Sequence, residues 1–360
     1  MSTRRRGDAA STVTDEVTSY PEQGVRNSQA EGIGRVAALD GLVAWNNLGR
    51  NVVFADAQFR PLGVFDATAF PNDDELSQYD LDVHAIIALR GADLVVVLNH
   101  LGSLRAFRAS AIKRPGPTRS VDPVFSAVLA EDVERTVAVG TQLVGSRPPS
   151  KRAGGLLVSE PILESSSRPR LEADVALEGW GQVTALGVLN LGGDEVLALG
   201  GDGHVAVVPC ADGKIGRPLW EMEVGFRVAS FAWDDGLIWT AGSDTAADAI
   251  DDFRWDDLHG GRFAALDPSD GHLVVAGPLP DDVAWGTGGV AVVMLDRVLC
   301  ALGRTGRLHV VHTRGGREHL STLPLASHSL GIAHAAVVGD RVLYGFNRGG
   351  YRLYATRLAN

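Results

Sequence analysis

Residues 332–357, IAHAAVVGDRVLYGFNRGGYRLYATR, contain three short runs of apolar and aromatic residues separated by two glycine-containing turns. The runs cover residues 332–338, 342–346 and 351–357. Short runs of this composition, bounded by Gly, Asp and Asn, are typical of β-strands joined by tight turns. The segment therefore predicts three consecutive antiparallel strands.

The same pattern recurs along the whole chain. Equivalent first strands are predicted to begin at Val36, Val83, Val124, Val183, Val228, Val290 and Ala333. Once insertions at residues 145–155 and 243–261 are set aside, the copies are spaced by about 40–47 residues, the length of a four-stranded propeller blade. The sequence therefore predicts an all-β fold, a seven-bladed β-propeller of four-stranded antiparallel blades.

The two ends of the chain are predicted to meet. The last copy supplies three strands before Asn360, and a sheet without its outer strand would leave an exposed edge. Residues 1–30 are polar and without periodicity, so most of this arm is expected to be disordered. A segment between Thr12 and Glu31 is nevertheless the candidate for the missing, ring-closing strand. Residues 31–360 are expected to form a single propeller domain.

Composition narrows the class of protein. The net charge of −11 disfavours nucleic acid as the main partner, because phosphate binding needs a basic surface. The chain has no apolar run of the length that spans a membrane and no secretory signal. Cys210 and Cys300 lie in strand-like runs, without the spacing of a disulfide framework or a metal finger. We expect a cytoplasmic protein without cofactor, metal or membrane insertion.

Two segments carry a family resemblance. Residues 261–271 are GRFAALDPSDG, and residues 203–213 are GHVAVVPCADG, followed by Trp220. They resemble blades of quinoprotein-type (PQQ-like) and WD40-like propellers, in which an apolar third strand ends in Asp before a glycine turn. The resemblance implies that Asp and Gly form the turn to the fourth strand, and that Trp220 packs between neighbouring sheets. It implies a fold and no activity. The signal peptide and adjacent cysteines of quinoprotein dehydrogenases are missing, so that chemistry is rejected.

Candidate ligand-binding residues gather where first strands begin. In a propeller these strands line the central channel, and the loops that enter them lie on one face, the top. His84 and His334 are predicted at matching positions there, equivalent to Thr184 and Ala229. The other candidates lie in or beside the entering loops: Asp82, Trp180 and Trp285. Either the two imidazoles bind a ligand or transfer protons, or they form hydrogen bonds within a polar channel lining. Two histidines alone are too few for a catalytic metal.

The insertion at residues 243–261 is the second candidate site. Its aspartates do not have the spacing of an EF-hand loop. It is interpreted either as a solvated acidic loop or as a lid or partner-binding loop, with Phe253 and Trp255 as apolar anchors beside charged residues. The candidate residues are Asp251, Asp252, Phe253, Trp255, Asp256 and His259.

Two hypotheses of function follow. The favoured one is a non-catalytic interaction scaffold that binds a protein partner, or else a small-molecule ligand, through its top face and the acidic insertion. The alternative is a propeller enzyme, hydrolase- or lyase-like, with His84 and His334 at the channel mouth. No GxSxG, P-loop, HExxH or dinucleotide motif is found in the sequence, which favours the scaffold.

Overall fold

Strands account for nearly all of the regular structure. The computed structural model describes residues 11–17, 33–47, 51–66, 83–89, 91–99, 102–129, 133, 135–146, 155–162, 171–176, 182–211, 214–233, 236–244, 261–280, 292–295, 298–303, 307–314, 317–324, 332–346 and 353–359. In the first third of the chain the strands are β1 (Ser11–Val17), β2 (Ile33–Leu39), β3 (Leu42–Asn47), β4 (Asn51–Ala55), β5 (Pro61–Asp66), β6 (Val83–Leu89), β7 (Leu94–Asn99), β8 (Ser103–Arg108), β9 (Arg119–Ser120) and β10 (Phe125–Val128).

The remaining strands follow the same order of short runs and turns. They are β11 (Arg135–Val139), β12 (Gln142–Ser146), β13 (Gly155–Ser159), β14 (Leu171–Ala176), β15 (Val183–Leu191), β16 (Asp194–Ala211), β17 (Lys214–Ile215), β18 (Trp220–Trp233), β19 (Ile238–Ser243), β20 (Gly261–Leu266), β21 (Leu273–Leu279), β22 (Val292–Leu295), β23 (Val298–Gly303), β24 (Arg307–Arg314), β25 (Arg317–Pro324), β26 (Ile332–Val338), β27 (Arg341–Phe346) and β28 (Leu353–Ala359).

Helix is a minor feature. One turn, α1 (Ala109–Ile112), lies between β8 and β9. In the part of the chain that the structure describes, no helix combines the length and apolar character needed to cross a bilayer.

Most sheets are four-stranded and antiparallel, with sequence neighbours side by side. The described strands form the sheets β10-β8-β7-β6, β11-β12-β13-β14, β22-β23-β24-β25 and β1-β28-β27-β26, a sheet β2-β3-β4-β5 extended by β9, and a longer sheet from β15 to β21. The short β9 pairs with β5 in parallel. Consecutive antiparallel strands need only tight turns, which explains the glycine-rich sequence.

The longer sheet consists of two four-stranded units joined by the continuous strand β18. Residues 194–201 of β16 pair with β15, while its residues 202–207 pair with β18. Residues 227–233 of β18 then pair with β19. Gly203 and Gly225 lie at these two changes of partner, with φ of +86° and +72°, a conformation that glycine adopts without strain.

The first strands of successive units contact one another in chain order. The contacts are β2 with β6, β6 with β11, β11 with β15, β15 with β18, β18 with β22, β22 with β26, and β26 with β2. The order of neighbours therefore returns to its starting strand.

The hydrophobic cores lie between neighbouring sheets. Strand β7 illustrates this arrangement, because its side chains alternate between the cores on its two faces. Val95 and Val97 pack with Phe54 of the preceding sheet, whereas Leu94 and Val96 belong to the core shared with the following sheet. A strand buried on both faces has a nearly continuous apolar sequence, as β7 has.

The outer strand of the last sheet comes from the N-terminal arm. Strand β1 pairs antiparallel with β28 over its full length, from Ser11 opposite Ala359 to Val17 opposite Leu353. The edge that the three C-terminal strands would expose is thereby covered.

One of the predicted first strands is wrong. The run that begins at Val124 contains β10, which is the outer strand of the sheet that begins with β6. The first strand of the next sheet is β11, which starts at Arg135. Both segments are short and largely apolar, so their pattern does not distinguish an outer strand from an inner one.

Candidate functional site

The strand pairing corrects the predicted match between the two histidines. In five first strands the register shifts by one residue near the start, and the residues between the shifted pairs are Gly34, His84, Thr184, Ala229 and Ala333. His84 is therefore equivalent to Thr184 and Ala229, as predicted. His334 is one residue further along, and the predicted equivalence with His84 is wrong. The last copy was predicted to begin at Ala333, whereas β26 begins at Ile332, so the residues of that copy were matched one position too far along.

His334 corresponds instead to Arg35, which also follows a register shift. Arg35 Nε donates to the carbonyl oxygen of Val83 in the next sheet, at 3.4 Å, and its backbone N–H donates to Asn46 Oδ1 at 2.5 Å. Position 35 thus links two neighbouring first strands at the end where they begin.

Arg135 repeats this arrangement two sheets further on. Its Nε donates to the carbonyl oxygen of Thr184 at 3.1 Å, and its backbone N–H donates to Ser146 Oγ, also at 3.1 Å. Two arginines thus make the same kind of contact across two different sheet boundaries. The sequence argument missed both, although each lies four residues before the end of its first strand.

Thr184 is the predicted site residue whose surroundings are described best. It is buried, and its hydroxyl donates to the carbonyl oxygen of Val228 at 2.5 Å. A longer contact of 3.3 Å joins it to the carbonyl oxygen of Gly200. The hydroxyl therefore joins its sheet to the next one.

Arg227 adds a charged group at the same end. Its Nε lies 3.5 Å from Asp202 Oδ1, and its Nη2 donates to Gln182 Oε1 at 3.2 Å. Gln182 directly precedes Val183 and Arg227 directly precedes Val228, just as Asp82 precedes Val83. Arg35, Arg135, Thr184 and Arg227 form a polar set, here called the entry belt, that ties adjacent sheets together where first strands begin.

Most of the other predicted site residues fall outside the described part of the chain. These are Asp82, Trp180 and Trp285 among the channel candidates, and Asp251, Asp252, Phe253, Trp255, Asp256 and His259 in the acidic insertion. His84 and His334 are described through their backbone pairing in β6 and β26. Their roles stay predictions.

The base of the acidic insertion is well defined. Residues 245–260 connect β19 to β20. The pair of residues in these two strands that lies next to the insertion is Ser243 opposite Gly261. Arg262 Nε lies 2.6 Å from Asp244 Oδ1, and both side chains are about half exposed. The paired strands and this ion pair hold the two ends of the insertion together, at the end of the sheets where the second strand leads to the third.

A carboxylate–imidazole cluster occupies the turn between β20 and β21. The ligand atoms of Asp267, Asp270 and His272 lie within 4.8 Å of one another. Ser269 N donates to Asp267 Oδ1 at 2.8 Å, and His272 Nδ1 lies 2.7 Å from Asp270 Oδ1. Hydrogen bonds within the turn account for this geometry, and we assign no metal to it.

The same hydrogen bonds set the acid–base behaviour of the turn. The Ser269 hydroxyl and then its N–H lower the pKa of Asp267. The N–H and ring of His272 lower the pKa of Asp270, and the hydrogen bond to Asp270 raises the pKa of His272.

The turn expected at residues 267–271 and the packing expected of Trp220 are confirmed, whereas Asp212 and Gly213 of the other segment lie outside the described residues. Asp267 and Gly271 form the turn between β20 and β21, with Gly271 N donating to the Asp267 carbonyl at 2.9 Å. Trp220 belongs to the core that the fourth sheet unit shares with the fifth. Its indole N–H donates to the Pro268 carbonyl at 2.8 Å, so the ring packs against the neighbouring sheet's turn.

Comparison with known proteins gives matches in structure and none in sequence. No family model matches the chain, and no curated protein matches it. The WD40 domain of Pan2 from Neurospora crassa superposes with a TM-score of 0.59 at 11% identity, covering 91% of this chain and 89% of that domain. Sqt1 from Saccharomyces cerevisiae superposes with a TM-score of 0.56 at 11% identity, covering 92% and 96%.

A designed protein matches as well. The computationally designed Ika8 superposes with a TM-score of 0.52 at 13% identity, covering 92% of this chain and 97% of that one. At such low identity the likeness concerns the fold. It confirms the predicted resemblance to WD40-like propellers. The resemblance to quinoprotein-type propellers stays a prediction. The chain is an all-β protein with the fold of a WD40-like propeller.

Proposed function

We propose that this chain is a closed, seven-bladed β-propeller that serves as an interaction scaffold and binds a protein partner through its acidic insertion. The domain would span residues 31–360, with the N-terminal arm supplying its last strand. The circular order of first-strand contacts supports this architecture, as does the pairing of β1 with β28. The change of partner within β18, which divides the longest sheet into two units, supports the count of seven.

The observation that carries the functional proposal is the way residues 245–260 leave the sheet. They connect β19 and β20, and their ends are held by strand pairing and by the Arg262–Asp244 ion pair. A loop anchored on a rigid scaffold is a common arrangement for binding sites. Its ends are fixed, so less conformational entropy is lost when it binds a partner.

The sequence of the insertion indicates the chemistry of the partner. It contains Asp248, Asp251, Asp252, Asp256 and Asp257, with a single arginine among them. Phe253 and Trp255 lie between the two acidic groups. Aromatic side chains are enriched among the residues that dominate binding energy, and charge mainly steers association and selects the partner. We therefore propose a basic protein surface that offers an apolar pocket.

The two cysteines fit a reducing compartment. Cys210 and Cys300 are free thiols, and Cys300 is buried. Free thiols persist where disulfides are kept reduced, and we propose the cytoplasm as the location.

Affinity purification with matched variants tests the function. One variant replaces Asp251, Asp252, Asp256 and Asp257 by Asn, and a second replaces Phe253 and Trp255 by Ala. The control carries Lys151→Gln and Arg152→Gln in the other insertion, between β12 and β13. Thermal melting verifies that all variants fold.

The proposal predicts a protein that is retained by the wild type and the control and is lost from the Phe253 and Trp255 variant. The Asn variant should bind it more weakly, with a smaller dependence on salt. An identical set of bound proteins for all four chains would contradict the proposal.

A further inference from the structure

The outer strands β5 and β21 have the same local geometry. In each, the register with the neighbouring strand shifts by one residue near the start, and the extra residue is Leu62 in β5 and Val274 in β21. The second residue after the extra one is Val64 in β5 and Ala276 in β21. These two positions are therefore structurally equivalent.

The turns that lead into the two strands are alike as well. Each begins with an aspartate whose Oδ1 accepts from the N–H two residues later, at 2.9 Å for Asp56 and 2.8 Å for Asp267. In each, the aspartate carbonyl accepts from the N–H of a residue with positive φ, Phe59 in the first turn and Gly271 in the second. The two hairpins are the same structural unit in different sheets.

The outer edge of β5 is occupied. Strand β9 pairs with it in parallel. The N–H of Val121 donates to the Val64 carbonyl at 2.9 Å, and the Thr118 hydroxyl donates to the Pro61 carbonyl, also at 2.9 Å. Under this cover Leu62 and Val64 are only partly exposed. The chain thus shows how the outer edge of such a unit accepts a further strand.

Among the described residues, no strand covers the equivalent edge of β21. Leu273 and Val274 expose 50% and 48% of their surface, and Ala276 is exposed too. The strand, LVVAGPL, has no charged residue, although uncovered edge strands usually carry charges that prevent pairing with another chain. Pro278 lies two residues after Ala276, so its nitrogen faces the same edge and offers no donor. This edge is therefore suited to a short segment.

The turn beside the start of β21 is acidic. Hydrogen bonds from Ser269 and His272 lower the pKa values of Asp267 and Asp270, so both carboxylates are ionised at neutral pH. They outnumber the imidazole of His272, the third member of the cluster. A segment parallel to β21 would have its N-terminal residues beside this turn, where a basic side chain is favoured.

We propose that β21 accepts an extended segment of a partner protein as a fifth, parallel strand, paired at Ala276 and with a basic residue of the segment beside the acidic turn. This would be a second binding surface. Residues 245–260 join the sheet at the start of β20, whereas the acidic turn follows the end of β20, so the length of that strand separates the two surfaces.

A peptide that copies residues 114–121, RPGPTRSV, is the probe, because these residues contain β9 and the two donors to β5. NMR titration of the full chain, deuterated and labelled with nitrogen-15, locates the site at which it binds. A second peptide is methylated at the backbone nitrogen of its valine, which removes the N–H that corresponds to the Val121 donor. A third peptide has glutamate in place of both arginines.

Two variants at one position complete the test. Ala276→Pro removes the N–H at the free edge, and its ring obstructs a further strand. Ala276→Thr is the matched control, because threonine keeps the N–H and favours the extended backbone.

The unmodified peptide should shift the amide signals of residues 274–277. It should bind Ala276→Pro at least about tenfold more weakly than Ala276→Thr, and the methylated peptide should bind the wild type more weakly by a similar factor, since each change removes a hydrogen bond. The glutamate peptide should bind more weakly still at low salt.

Absence of shifts at residues 274–277, shifts confined to β5, or equal affinity of the methylated and unmodified peptides would overturn the proposal. If Ala276→Pro does not fold, the comparison of peptides on the wild type decides. None of these results bears on the proposed role of residues 245–260.

Discussion

The indole nitrogen of Trp220 lies 2.8 Å from the carbonyl oxygen of Pro268, and the two residues belong to adjacent sheet units. The same ring covers Gly271, at which a Cβ atom would lie only 2.4 Å from Trp220 Cε3. The tryptophan of one unit is thereby fitted against the turn of the next, with no room for a side chain between them.

Gly271→Ala should be strongly destabilising. Its φ of +76° disfavours any other residue, and the added methyl group would overlap the Trp220 ring. Strain and overpacking together should lower the free energy of unfolding by about 2–4 kcal/mol. Gly339→Ala is the control, since its φ is +62° but nothing lies within 4 Å. It should lower stability by only about 1 kcal/mol. Equal losses in urea unfolding would refute the contact with Trp220.

Thr184→Val tests whether the entry belt stabilises the packing of adjacent sheets. The substitution nearly preserves shape and leaves the buried Val228 carbonyl without the hydroxyl that it accepts from. We expect a loss of about 1–3 kcal/mol. Thr136→Val is the matched control, because the Thr136 hydroxyl is buried without a partner among the described residues. That substitution should be neutral or slightly stabilising. A Thr184→Val chain as stable as the wild type would leave the hydroxyl free for the ligand-binding role first considered.

The turn between β20 and β21 should have a measurable pH signature. The hydrogen bond to Asp270 raises the pKa of His272 above that of an ordinary histidine, so this bond favours folding at low pH and fades as pH rises through the raised pKa. Asp270 has a lowered pKa, so its contribution is present above the ordinary carboxyl pKa and fades as pH falls through the lowered one. NMR titration of the His272 ring in the wild type and Asp270→Asn measures this. The variant should titrate at lower pH, and an unchanged midpoint would show that the contact does not persist in solution.

The general fold could be predicted from the sequence because strands that are buried on both sides have nearly continuous apolar runs. The turn at Asp267–Gly271 and the packing of Trp220 could be predicted too, since both depend on residue types with narrow conformational or packing roles. Whether a strand is the inner or the outer one depends on the pairing of its whole sheet, so the run at Val124 was predicted as a first strand although it contains an outer one. The shift at His84 depends on one inserted residue, which no periodicity records.

The candidate site was harder to predict than the fold. Arg35 and Arg135 act through backbone carbonyls of neighbouring sheets, and their partners are almost 50 residues away in sequence. Such contacts depend on how neighbouring sheets are placed relative to one another, which requires the three-dimensional structure.

The central claim is that the N-terminal strand closes the ring by pairing with the last strand. Engineered disulfides test it in a background with Cys210→Ser and Cys300→Ala. Val13 lies opposite Arg357, and Thr12 lies opposite Leu358. Adjacent antiparallel pairs alternate between close and wide spacing, so one of these two double-cysteine chains should oxidise readily.

The most direct measurement is therefore the yield of intramolecular disulfide in these two chains, determined by non-reducing electrophoresis and peptide mass spectrometry. Val13→Cys with Ala355→Cys is the control, because a shift of two residues places the Cα atoms beyond bridging distance. A closed ring predicts a monomeric, cross-linked product for at least one of the opposed pairs and little for the control. Absence of the cross-link in both opposed pairs, or an equal yield in the control, would contradict the closed propeller.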